Sequence, residues 1–155
     1  MLIVFLFLCL GAGSVASFLT ARGVREWYPT LRKPRGTPPT WVFAPVWTTL
    51  YILLAVAAWL VWRDYGWVGG RPALLQFFAQ LGLNVAWSGI FFGARMPGVA
   101  LVELVILWFA IVFNILIFYW LTPLAAFLLG PYLLWVTYAS YLNFGVWRLN
   151  RKPSA

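Results

Sequence analysis

Five long apolar stretches govern what this chain can become: 2–19, 41–62, 73–92, 99–121 and 124–147. They take up 107 of the 155 residues, and of the 14 charged residues only Glu103 falls inside them. Each is 18 to 24 residues long, and a helix needs roughly 17–25 apolar residues, at about 1.5 Å each, to cross a bilayer. Lipid offers no partner to a free backbone N–H or C=O, so a spanning segment must satisfy these groups within itself. The inside–outside alternation of a barrel strand is absent. The stretches therefore predict an all-α membrane protein, a single domain built as a bundle of five transmembrane helices. No basic residue precedes the first stretch, and Arg22 and Arg25 follow it, which reads as a span and not as a cleaved leader.

Composition removes several kinds of chemistry. There is no histidine, one cysteine (Cys9) and three acidic residues. A histidine metal site, a Ser–His pair, an internal disulfide and a thiolate cluster are all unavailable. The sequence predicts no metal site, no resident cofactor and no acid–base constellation. The net charge of +8 sits on loops and not on a soluble basic domain, so it does not read as nucleic-acid binding. Nine of the 11 basic residues fall in 20–40, 93–98 and the tail, and two (Arg63, Arg71) in 63–72. The excess predicts that the 20–40 loop and the C-terminus are cytoplasmic.

The third stretch has two unlike faces. Gln76, Gln80, Asn84 and Trp87 recur at helical spacing, and amides are unfavourable against lipid, so this face should look into the bundle. Ala79, Gly82, Ala86, Gly89 and Gly93 form a small-residue seam on the other side. Such a seam suits close helix contact, either with a second copy in a homodimer or with a neighbouring helix of the same chain. Glu103, about one turn into the fourth stretch, should find an ion pair, with Arg32, Arg95 and Arg148 as the candidates on its side. The faces of the second and fifth stretches (Trp47, Tyr51, Tyr132, Trp135, Asn143) offer aromatic walls with a few amides. That chemistry suits a pocket for a flat apolar ligand. The 21-residue segment 20–40, with Trp27, Tyr28, Pro29, Pro34, Pro38 and Pro39, reads as a binding loop or an interfacial anchor.

These residues also carry a resemblance. Trp27-Tyr28, Lys33-Pro34, Pro38-Pro39, Trp41-Val42 and Pro45-Val46-Trp47 come first. They are followed by Asn84, Ala86-Trp87, Phe91-Phe92-Gly93-Ala94-Arg95, Pro131-Tyr132, Trp135, Leu142-Asn143 and Val146-Trp147-Arg148. In this order, over nearly the whole chain after about residue 11, the sequence resembles the translocator protein family, the tryptophan-rich sensory proteins. The resemblance implies a five-helix bundle, often dimeric, that binds porphyrins, sterols and other flat apolar ligands beneath the first long loop. It implies a role in tetrapyrrole metabolism, transport or stress sensing. Carried over by position, the ligand-binding residues are Ser17, Thr20, Trp27, Phe43, Ala44, Trp47, Asn84, Trp87, Trp135, Ala139 and Leu142. An alternative that the resemblance also implies is light-dependent porphyrin breakdown, with Trp47 and Trp135 as the participating tryptophans. The lack of histidine favours a metal-free porphyrin as ligand. Two positions depart from the family pattern. Gly36 stands where a tryptophan is usual, which should loosen the loop, and Phe144 stands where a tyrosine is usual, which removes a hydroxyl from the family's sterol-recognition stretch and weakens that pattern.

Overall fold

A single glycine reverses the longest helix of the molecule. The computed structural model describes residues 1–151, and every regular element among them is helical. The main ones are α1 (Leu2–Arg22), α2 (Phe43–Ser88), α3 (Pro97–Leu121), α4 (Pro123–Leu128) and α5 (Gly130–Asn150). Within α2, Gly66 adopts φ 65° and ψ −170°, a left-handed conformation that glycine adopts without the cost a Cβ imposes. A straight helix would separate residues 51 and 84 by about 50 Å. Instead, the Tyr51 hydroxyl donates to Asn84 Oδ1 at 2.7 Å. The two limbs of α2, 43–65 and 67–88, therefore lie side by side and antiparallel.

Four helical runs are long and apolar enough to cross a membrane: Leu2–Thr30, Thr40–Gly93, Pro97–Leu121 and Pro123–Asn150. The second of these holds two of the five expected spans. Residues 63–72, expected as a loop, stay helical on both sides of Gly66, because charge ends an apolar run without ending a helix. The same reasoning covers 20–30. After α1 the chain continues through a wide π-helical turn, Gly23–Trp27, and a 3₁₀ turn, Tyr28–Thr30. No proline interrupts it before Pro29, and the irregular part shrinks to 31–39.

That irregular segment is fastened to α5. Asn150 accepts from the Arg32 N–H at 3.0 Å and donates to the Arg32 carbonyl at 2.8 Å. Tyr141 donates to the Arg35 carbonyl at 3.0 Å, and Tyr138 donates to the carbonyl of Gly36. Gly36, where the family pattern has a tryptophan, takes φ 84°, a turn conformation that a tryptophan would adopt only with strain. A second π-helical turn, Gly89–Gly93, ends the second limb of α2 and meets the first. A Cβ at Gly23 would lie 2.1 Å from the Phe92 carbonyl oxygen, so only glycine permits this approach. Above it, Trp27, Tyr28, Phe91 and Phe92 form an aromatic cluster with centroids 4.7 to 6.5 Å apart.

The amide face of the second limb turns inward, as its spacing predicts. Gln80 and Asn84 are fully buried and Gln76 Nε2 reaches the Ala110 carbonyl at 3.1 Å. The expected ion pair of Glu103 does not form. Both its carboxylate oxygens are buried without a hydrogen-bond partner. Arg95 reaches Glu26 instead, at 3.6 Å. Glu103 lies six residues into α3, about 9 Å along its axis, whereas Arg32 and Arg95 are on the connecting segments and Arg148 is in the last turn of α5.

Candidate functional site

The site begins where α1 and the first limb of α2 do not close on each other. Small side chains on α1 (Gly13, Ser14, Ala16, Ser17) leave room against Ala44, Trp47 and Thr48 of α2. The result is a cavity of about 600 Å³, within the usual range of small-molecule pockets, about 300–1,000 Å³. Ser14, Ser17, Ala44 and Thr48 line it and stay exposed, so it opens sideways between α1 and α2. Its roof is made by the two π-helical turns, through Val24, Arg25 and Phe92, and by Tyr28 of the 3₁₀ turn.

Six of the residues carried over from the resemblance line this cavity: Ser17, Thr20, Phe43, Ala44, Trp47 and Trp87. Ala139 and Leu142 face a small adjoining void of about 20 Å³, which shares Tyr28, Phe43, Trp87 and Phe92 with the larger one. Trp135 stands behind the wall, edge-on to Phe43 at 5.8 Å and to Trp47 at 6.4 Å. Trp27 packs edge-on to Phe91 at 5.6 Å, above the cavity and not on it.

Asn84 is also behind the wall, inside a buried polar chain. Tyr51 donates to its Oδ1, and its Nδ2 donates to the Tyr132 hydroxyl at 2.8 Å. Tyr132 in turn donates to Gln80 Oε1 at 2.9 Å. Such buried groups are costly unless they are bonded to each other. Tyr51 lines the cavity, so this chain fixes one wall from behind. Trp87 is held likewise: its Nε1 donates to Asn143 Oδ1 at 3.0 Å, and Asn143 Nδ2 donates to the Pro97 carbonyl at 2.7 Å.

The carried-over set lacks several cavity residues, notably Arg25, Tyr28, Thr40, Tyr51 and Phe92. For Tyr51 the signal was present, since it shares a helical face with Trp47. For Arg25 the only signal was its place within the basic loop. Among the described residues there is no cluster of three or more His, Cys, Asp or Glu side chains able to hold a metal. The walls offer stacking surfaces and hydroxyls, and one cation.

The small-residue seam is divided. Ala79, Gly82 and Ala86 are exposed on the outer side of α2. Gly89 and Gly93 meet α1, where a Cβ would lie 3.9 Å from a Leu19 methyl and 3.5 Å from the Leu19 carbonyl oxygen.

Residues 5–148 match the model of the TspO/MBR family. The chain belongs to that family. It is 41% identical over 141 residues to the tryptophan-rich protein TspO of Archaeoglobus fulgidus, covering 91% of each chain. It is 42% identical over 143 residues to the translocator protein of Homo sapiens, covering 91% of this chain and 84% of that one. The tryptophan-rich sensory protein of Cereibacter sphaeroides is 39% identical over 131 residues, 84% of this chain and 81% of that one. With several long apolar helices, this TspO/MBR member is an integral membrane protein whose surroundings are the lipid bilayer.

Proposed function

We propose that this chain is a multi-pass membrane receptor or carrier for flat apolar ligands, with metal-free tetrapyrroles such as protoporphyrin IX foremost and sterols secondary. The observation that carries this reading is the cavity of about 600 Å³ walled by Phe43, Trp47, Trp87 and Phe92. A planar macrocycle gains from stacking on such rings, about 0.5–1.5 kcal/mol per aromatic pair beyond area burial. The names of the relatives, translocator protein and tryptophan-rich sensory protein, agree with a role in moving or sensing a ligand. In this reading the two limbs of α2 cross the bilayer separately, giving five spans. The 20–40 segment and the C-terminal end lie on the cytoplasmic side, by the excess of basic residues there. Lys152, one of the residues counted for that excess, lies outside the described residues. The exposed seam residues Ala79, Gly82 and Ala86 are the proposed homodimer contact, since small side chains allow helices in lipid to approach closely.

Titration of the purified protein in lipid nanodiscs with protoporphyrin IX tests the reading. The expected outcome is saturable quenching of tryptophan fluorescence at micromolar ligand, weakened about tenfold by Trp47→Ala. Absence of quenching ends it. A second reading, light-dependent porphyrin breakdown, is supported by Trp47 alone among the cavity tryptophans having Trp135 behind it, at 6.4 Å. The same titration run in light and in darkness separates the two. Ligand loss that needs both light and Trp47 favours breakdown, and equal stability of the ligand favours binding alone.

A further inference from the structure

The cavity has one charged wall. Its lining is otherwise apolar or hydroxyl-bearing, and Arg25 is the single exception. It sits in the π-helical turn that follows α1, at one end of a lining that runs down α1 to Leu10, about 20 Å along the helix. The cavity is thus graded. Arg25 stands at the roof with Thr20 and Thr40, the hydroxyls of Ser17 and Ser14 come next, and Leu10 closes the far end.

The charge of Arg25 is not spent on the protein. The nearby carboxylate, Glu26, is shared by Arg22 at 3.1 Å and Arg95 at 3.6 Å. Among the described residues no carboxylate lies within 4.0 Å of Arg25. Two guanidinium groups therefore share one acid, and the third, which faces the cavity, is without a carboxylate partner. A guanidinium presents a planar fork of donors that matches a carboxylate with two parallel hydrogen bonds. At the mouth of a low-dielectric cleft such a pair is stronger than in bulk water.

We propose that Arg25 receives the carboxylate of an apolar acid whose body lies in the cavity against Trp47 and Phe92. This rests on the ligand-binding reading above and adds to it a specificity-determining residue, the group that tells an apolar carboxylic acid from its neutral analogue. Neutral flat ligands of the same size then bind more weakly than their acids, and they enter without a fixed orientation.

The test compares protoporphyrin IX with its dimethyl ester on the full chain, in nanodiscs of phosphatidylcholine alone, which carry no anionic lipid to compete. Tryptophan quenching gives the affinity of each. Wild type is expected to prefer the diacid by about tenfold. Arg25→Gln should erase that preference by weakening the acid alone, leaving the ester as it was. Arg25→Lys keeps the charge without the fork and should restore part of the preference. Thermal unfolding of each variant checks that the fold is intact. A persistent acid preference in Arg25→Gln overturns the proposal while leaving the cavity as a ligand site. Equal weakening of acid and ester overturns it too, since Arg25 would then only shape the roof. If wild type binds neither compound, the ligand-binding reading fails, and this one with it.

Discussion

The bundle is full on one side and open on the other. Between the second limb of α2, α3 and α5, large side chains are wholly buried: Phe77, Leu107, Ile111, Phe118 and Tyr132 are at 0% exposure. Phe77 and Phe118 stack with centroids 6.2 Å apart. Between α1 and the first limb, by contrast, most of the α1 side chains on the cavity are small or hydroxyl-bearing (Gly13, Ser14, Ala16, Ser17, Thr20, Ala21), and about 600 Å³ is left unfilled against the aromatic wall opposite. The two regions share a solvent and a helix type, so the difference lies in side-chain size. In lipid the hydrophobic effect does not push helices together, and association rests on packing and on hydrogen bonds between helices. The full side has both, whereas small residues on the open side leave room for a ligand.

The largest expected effect tests the full side. Phe77→Ala removes a ring from a site with no access to lipid or water, and its neighbours cannot collapse completely into the gap. Comparable truncations in soluble cores cost about 3–5 kcal/mol, part of it transfer free energy that lipid does not supply. A loss of about 2–3 kcal/mol in reversible unfolding from detergent micelles is expected, with little change in ligand affinity per folded molecule. A loss within the range of exposed substitutions, about 0.5 kcal/mol, would show that this side is no better packed than the other.

The open side should answer in the opposite way. Ser17 lines the cavity and is exposed, so leucine there adds bulk to empty space and meets lipid without cost. Stability should stay within about 0.5 kcal/mol of wild type. Protoporphyrin IX affinity should fall about tenfold, equivalent to about 1.4 kcal/mol. If Ser17→Leu destabilises as Phe77→Ala does, the cleft is a packed interface and the contrast between the two sides disappears.

How much of this was legible in sequence follows the same division. The buried amides were readable because Gln76, Gln80, Asn84 and Trp87 share one helical face, and polar groups in lipid have one good place to go. The helical content followed from the length of the apolar runs. The boundaries did not, since charge marks where a run leaves the membrane and says nothing about where a helix ends. That is why 23–30 and 63–72 are helical and Gly66 alone reverses α2. The pocket was legible only in part. Phe43, Trp47 and Trp87 are on its wall, but Asn84 and Trp135 stand behind it. Helical spacing gives the direction of a side chain, not its depth in the stack of neighbours. The failed ion pair of Glu103 has the same origin: sequence shows near which end of a helix a charge stands but not which side chains pack beside it.

The smallest expected effect concerns the turn at Gly66, on the side of the bundle away from the basic loops. Thr122, between α3 and α4, donates to Asp64 Oδ2 at 3.1 Å, and Tyr65 donates to the Leu121 carbonyl at 2.7 Å. Arg63 donates to Asp64 Oδ1 at 2.8 Å and, beside it, holds the Asp64 carboxyl below the usual carboxylate range, with Thr122 adding to the effect. A depressed carboxyl stabilises the fold above its unfolded value, about 3.9 for aspartate, and that contribution is lost as pH falls through the lower folded value. Because Asp64 is in contact with water, the contribution is screened and small. Asp64→Asn should therefore leave stability near neutral pH only slightly reduced and should flatten the acid limb of the pH–stability curve below about pH 4. The cleft and its ligand affinity should not change, since Asp64 does not line the cavity. A change in affinity would mean that the tied turn and the open cleft move together, and that the full side of the bundle sets the width of the open one.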